Sequence, residues 1–202
     1  MKKTFFFLIT ILILLSVSSN AIAKTLVTMK TTTAVGESCY ISVFFYGGSI
    51  LMGEKKLKIG TNLIVIPEGG VIRFTTEDDA VLTRLECCEH ELTELDVEGN
   101  PSLVRLNCAE NKLTKLNLKG CTGLLELLCS YNRLTELDVE KFTKLIILRC
   151  NDNQLTRLVV KDCIDMTYLD CSYNKITELN IDALKKLKTL RCSNNKMDKK
   201  DF

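Results

Sequence analysis

Little in this sequence belongs to an enzyme. It has a single histidine, His90, and no phosphate-binding glycine loop, activated-nucleophile motif or paired-carboxylate context. General acid–base and covalent catalysis rest on such groups, so no catalytic activity is expected. Ten cysteines are present without one Cys-x-x-Cys pair, which argues against a structural metal. Asn151-Asp152-Asn153 lacks the remaining ligand positions of a calcium loop. No metal or other cofactor is expected. Charge of one sign is also missing. The formal net charge is +2, and setting aside Lys2 and Lys3 leaves 25 basic against 25 acidic residues. A chain so balanced has no long-range field to draw in nucleic acid or an anionic membrane. After Leu15 no second apolar stretch of membrane length occurs, so no stable membrane insertion is expected.

What is present begins with a leader. Met1-Lys2-Lys3 precedes the apolar run Phe5 to Leu15, followed by Ser16 to Ala23 with the small-residue site Ala21-Ile22-Ala23. That is the pattern of a secretory signal peptide cleaved after Ala23. The apolar run is short for a membrane span of ~20 residues. Residues 1–23 are therefore expected to be removed and the rest exported to the periplasm, the medium or the cell surface. The remainder, in a chain with 46% hydrophobic and 26% charged residues, has the composition of a globular protein.

The dominant feature is a repeat of 21 residues. Cysteine recurs at Cys87, Cys108, Cys129, Cys150, Cys171 and Cys192, and leucine at Leu85, Leu106, Leu127, Leu148, Leu169 and Leu190. A polar column runs through His90, Asn111, Asn132, Asn153, Asn174 and Asn195. Leu92, Leu113, Leu134, Leu155, Ile176 and Met197 form a further apolar column. No insertion breaks the phase. The Leu-x-x-Leu-x-Cys half alternates inward positions as a short strand does. Stacked coils would pair those strands in parallel at about 4.8 Å per coil. The asparagine column falls where the chain leaves the strand, and an amide there can satisfy backbone groups that a turn leaves unpaired. The half reading Leu-Thr-x-Leu-Asp-Val is rich in Thr and β-branched residues, and an extended or polyproline-like course is expected for it. A single coil cannot bury its apolar face, so stability comes from stacking.

These columns resemble the leucine-rich repeats, and most of all the cysteine-bearing 21-residue repeats of internalin-J-type and related secreted bacterial surface proteins. The resemblance implies a leucine-rich-repeat solenoid over residues 82–202, with a parallel β-sheet on the concave face and little helix. The array has six repeats, the last incomplete. It also implies a binding rather than catalytic role, usually toward proteins. His90 stands where the family pattern has its first asparagine and is expected to replace it as a turn-stabilising residue.

Residues 24–81 carry no 21-residue phase. Leu26 to Met29, Tyr40 to Tyr46, Thr61 to Ile66 and Val71 to Thr75 are β-prone runs punctuated by Gly47-Gly48, Gly60, Pro67 and Gly69-Gly70. A small β-rich cap domain covering the first coil is expected, because an uncovered end exposes core and unpaired strand groups. At the other end the sixth coil stops after Met197, among Lys196, Lys199 and Lys200. Lysines discourage edge-to-edge pairing.

Ten cysteines in an exported chain would ordinarily suggest disulfides. Here the ladder places six on adjacent parallel strands with Cβ vectors side by side, unsuited to the ~3.8 Å a disulfide needs. They are expected to be buried free thiols, as are Cys121 and Cys163, which leaves Cys39 and Cys88 as the candidate reactive thiols. The phase also identifies the outward side chains of the concave strands. Leu128, Ile147 and Tyr168 fall on consecutive strands with Tyr131 and Tyr173 beside them and Arg149 and Asp170 at the border. Apolar and aromatic groups rimmed by charge form a candidate hot spot. The expectation is a non-enzymatic recognition protein that binds a protein or glycan through this face. The alternative is a structural element that stacks end to end through its last coil.

Overall fold

The computed structural model describes residues 24–76 and 80–197. The expected signal peptide, and Lys199 and Lys200, lie outside the described residues. Six short parallel strands carry the 21-residue phase: β7 (Val81–Glu86), β9 (Arg105–Asn107), β11 (Glu126–Leu128), β12 (Ile147–Arg149), β13 (Tyr168–Asp170) and β14 (Thr189–Arg191). Their register is unbroken, with Leu85, Leu106, Leu127, Leu148, Leu169 and Leu190 side by side. The first five of these leucines are fully buried, as are Cys87, Cys108, Cys129, Cys150 and Cys171. Leu190 and Cys192 are only partly covered. Among the described residues the only helical element is a single 3-10 turn, Glu68–Gly70.

The opposite side runs extended. The first two coils form true strands there, β8 (Leu92–Asp96) and β10 (Lys115–Asn117), paired in parallel. Beyond them a single bridge joins Asp138 to Val159. Where the chain turns from one side to the other it packs closely. A Cβ on Gly123 would lie 2.2 Å from the Pro101 carbonyl oxygen of the preceding coil, so no larger residue fits there without displacing backbone.

The N-terminal β-prone runs form β1 (Lys24–Thr31), β2 (Ser38–Tyr46), β5 (Gly60–Val65) and β6 (Val71–Thr76), with two-residue strands β3 (Leu51–Met52) and β4 (Lys55–Lys56) between them. They do not make a separate sheet. β2 pairs antiparallel with both β5 and β7, which continues the concave sheet in the order β14-β13-β12-β11-β9-β7-β2-β5. β1 pairs antiparallel with both β6 and β8, which continues the convex side. The first coil thus has both of its strand edges hydrogen-bonded, and one apolar core runs from Leu26 to Leu184.

Asparagine binds coil to coil. Asn153 Nδ2 donates to the carbonyls of Cys129 in the coil before and Cys150 in its own, at 3.0 and 3.2 Å. Its Oδ1 accepts from the Leu134 amide at 3.0 Å. Asn132 and Asn174 repeat the pattern. The first coil departs from the repeat at two polar positions, and both turn to the N-terminal strands. His90 Nε2 donates to the Tyr40 carbonyl. Asn100, which heads the otherwise apolar column of Cys121, Phe142, Cys163 and Leu184, donates to the Leu26 carbonyl at 2.7 Å.

Candidate functional site

The outward side chains of the concave strands form two columns. One runs Arg84, Arg105, Glu126, Ile147, Tyr168, Thr189, and the other Glu86, Asn107, Leu128, Arg149, Asp170, Arg191. The early coils are neutralised by ion pairs. Arg105 Nη1 is 2.5 Å from Glu126, and its Nε is 3.6 Å from Glu86, near enough for an ion pair and too long for a hydrogen bond.

Apolar surface takes over in the middle. Ile147 and Tyr168 are register partners and Leu128 is one strand away, all three half-buried. Arg149 lies 5.0 Å over the Tyr168 ring, and Arg191 approaches it at 6.0 Å from the other side. Such cation–π pairs hold a ring in place without removing it from solvent. Asp170 was expected at the surface border and is instead 6% exposed. Its Oδ1 accepts from the Ser172 hydroxyl at 2.6 Å, and its Oδ2 is 3.8 Å from Arg191. It positions Arg191 and Ser172 rather than presenting itself to solvent.

Tyr131 and Tyr173 belong to a third column, at the rim where the strands end. This column reads Glu89, Glu110, Tyr131, Asp152, Tyr173, Asn194, and every member has a positive φ, from 53° to 62°. The turn into the asparagine ladder imposes that conformation at this point in each coil. Asparagine adopts it readily, and bulky side chains adopt it at a cost of about 1–2 kcal/mol. The two tyrosines are 55% and 56% exposed. An open depression of about 830 Å³ lies along this rim, lined by Tyr131, Asp152, Tyr173, Ser172, Arg191 and Asn194 among others. The structure therefore divides the seven candidate residues. Leu128, Ile147, Arg149 and Tyr168 share the sheet surface, Asp170 supports them from below, and Tyr131 and Tyr173 form a rim with Asp152. The sequence reading passed over Asp152 in this role, although its spacing of 21 residues from both tyrosines was visible.

The sequence reading also missed the extension of this face over the N-terminal strands. Ser38, Tyr40, Ser42 and Phe44 alternate with buried Cys39, Ile41 and Val43 on β2. Arg84 lies 5.2 Å over Phe44, while Tyr40 faces its register partner Leu63, both exposed. The period-2 pattern in Ser38 to Phe44 was the available signal. Neither Cys39 nor Cys88, the two candidate reactive thiols, is fully open to solvent. Cys39 is in the core, where burial raises its pKa. Cys88 is half-buried, and its pKa is raised by desolvation and then by Glu86, Glu89 and Glu110. Neither is poised as a thiolate. All ten cysteines are unpaired.

The family model described as Leucine Rich Repeat matches residues 165–187. No curated protein matches the chain. Among solved structures, the functional domain of InlJ from Listeria monocytogenes, described as including a cysteine ladder, is 37% identical. The similarity covers 58% of this chain and 31% of that one, with a TM-score of 0.47. An internalin (inlF) from Listeria monocytogenes strain 4b F2365 is 25% identical over 50% of this chain and 31% of that one, with a TM-score of 0.48. The chain spans about a third of the length of these solved chains.

Proposed function

We propose that this leucine-rich-repeat solenoid, built of cysteine-type repeats, is an exported non-enzymatic recognition protein that binds a protein partner through its concave sheet. The observation that carries the reading is the half-buried group of Leu128, Ile147 and Tyr168 on three adjacent strands, with Ile147 and Tyr168 directly paired and Leu128 in the neighbouring column. Exposed apolar surface flanked by arginine is the composition of an interface centre. The ring of Tyr168 is already ordered by Arg149 and Arg191, so little side-chain freedom remains to be lost on binding. Leucine-rich repeats are typically binding scaffolds, which supports a non-catalytic role. Export rests on the leader-like residues 1–23.

The test is capture from host and bacterial extracellular material by wild-type protein and by the double variant Ile147→Ala/Tyr168→Ala, with melting curves alongside. The expected result is loss of the captured protein at nearly unchanged stability, since truncating an anchor costs at least ~2 kcal/mol of binding while an exposed cation–π pair contributes ~0.5–1 kcal/mol to the fold. Capture that survives both substitutions moves the site to the face of β2 and β5. Capture of a polysaccharide in place of a protein makes the partner a glycan. A chain that captures nothing and sediments as an end-to-end oligomer favours the assembly role.

A further inference from the structure

We infer that Tyr131, Asp152 and Tyr173 form a receptor for a cationic side chain, a lysine ammonium or arginine guanidinium, presented by the protein partner. This rests on the protein-recognition reading above and names the chemistry that the rim of that face would accept. The three residues occupy one position of consecutive coils and share one backbone conformation, φ 55°, 54° and 53°, so their side chains leave the solenoid in the same direction. Coils stack at about 4.8 Å, which sets the two tyrosines about 10 Å apart with the carboxylate midway. A cation seated over Asp152 is therefore about 5 Å along the stack from each tyrosine, a spacing that lets either ring turn its face to it within the ~6 Å at which a ring attracts a cation.

The same chain shows the arrangement already filled at a neighbouring ring. Tyr168 has Arg149 at 5.0 Å and Arg191 at 6.0 Å, with Asp170 beside Arg191. Among the described residues no cation of this chain stands over Tyr131 or Tyr173. One described cation, Arg191, lines the depression, and it is held 3.8 Å from Asp170, whereas Lys112, Arg133 and Lys175, which follow around the turn, do not line it. Lys112 pairs with Glu91 at 2.7 Å, and Lys175 donates to Gln154 at 3.1 Å. Among the described residues the Asp152 side chain accepts only from the neutral Asn151 amide, at 2.8 Å, and no cation pairs with it. Glu89 and Glu110 continue the column toward the N-terminus without a basic residue in it, so the row as a whole is acidic and aromatic. Both rings flanking Asp152 are open to solvent, 55% and 56% exposed.

The experiment titrates the full chain with tetralysine, with its fully Nε-acetylated counterpart and with chitotetraose, and follows the tyrosine ring resonances by NMR. Tetralysine should shift the Tyr131 and Tyr173 signals saturably, and less so as salt is raised, while the acetylated peptide should not. Tyr131→Ala/Tyr173→Ala should weaken tetralysine binding at least tenfold and Asp152→Asn severalfold. Tyr131→Phe/Tyr173→Phe should retain it, because the ring face remains, and a far-UV circular dichroism spectrum and melting curve of the alanine variant that match wild type exclude misfolding as the cause of its loss. Equal binding of the acetylated peptide, binding of chitotetraose without tetralysine, or alanine variants that bind like wild type each overturn the inference. Tetralysine that fails while partner capture still needs Ile147 and Tyr168 removes this receptor and leaves the concave reading intact. Tetralysine that binds as stated while the Ile147→Ala/Tyr168→Ala variant captures normally does the reverse.

Discussion

Asn153 sits between two coils and serves both. Its amide and carbonyl satisfy the Cys129, Cys150 and Asn151 carbonyls and the Leu134 amide, all in the interior of the turn. Asn153→Ala leaves these groups without partners, and each buried polar group so orphaned costs about 1–3 kcal/mol. A loss of about 2–4 kcal/mol is expected, read as a lower urea midpoint. A change below 0.5 kcal/mol would mean that water replaces the side chain. The asparagine column was legible from spacing alone because its chemistry is identical in each coil. The roles of His90 and Asn100 were not. Their partners, the Tyr40 and Leu26 carbonyls, come from a region without the repeat, and only the folded chain shows which of its carbonyls lie there. The thiols give a second test at this scale. Burial pushes Cys121 up to about 11 and Cys129 and Cys171 up to about 12. An unfolded thiol ionises near pH ~8.5, so the unfolded chain releases protons that the native chain retains. The stabilisation is therefore complete below that pH and is lost as pH rises toward 11–12. Urea midpoints should be level from about pH 6 to 8 and fall steadily above about pH 9. A triple Cys108→Ala/Cys129→Ala/Cys150→Ala variant should decline less steeply, and an equal decline would place the alkaline sensitivity elsewhere.

A strand of three residues is too short to be stable by itself, and each one here depends on its neighbours. β12 has β11 on one side and β13 on the other, and its Leu148 is fully buried. Leu190 of β14 is only partly covered. Leu148→Ala should cost ~2–5 kcal/mol, the range for large-to-small changes in a closed core. Leu190→Ala should cost less than half as much, since a partly exposed site loses less burial and its coil can open locally. Denaturant unfolding of both variants checks this, and equal losses would show that the β14 side is covered in solution. The concave strands were fully legible because period 2 inside period 21 specifies both the strand and its register. The convex side was legible only as extended chain. That β8 and β10 become strands there follows from β1, which supplies an antiparallel neighbour for β8, and no local pattern in Leu92 to Asp96 distinguishes it from the matching segments of later coils. The candidate site was legible to the same degree. Leu128, Ile147 and Tyr168 could be placed from phase, but the burial of Asp170 depends on how Ser172 and Arg191 close over it.

At the scale of the molecule, the N-terminal strands and the repeats are one structure with two continuous sheets. A chain that starts at Ala80 would expose the outer edges of β7 and β8 together, together with the core beneath them. Exposed edges template association, so this shortened chain is expected to elute as aggregate or to remain unfolded in size-exclusion and circular dichroism measurements. A soluble, folded monomer would show that the first coil can close its own end. Each coil also joins the next through the same ladder bonds and holds the same length of chain. Pulled along the stacking axis, such a molecule behaves as a wound tape. Load concentrates on the outermost seam, one winding peels away while the rest stay closed, and the next seam meets the same load. Unrolling 21 residues frees at most about 70–75 Å of chain in exchange for about 5 Å of stack. A force–extension trace should therefore show evenly spaced teeth about 65–70 Å apart, where a molecule that yields all at once would show a single rupture.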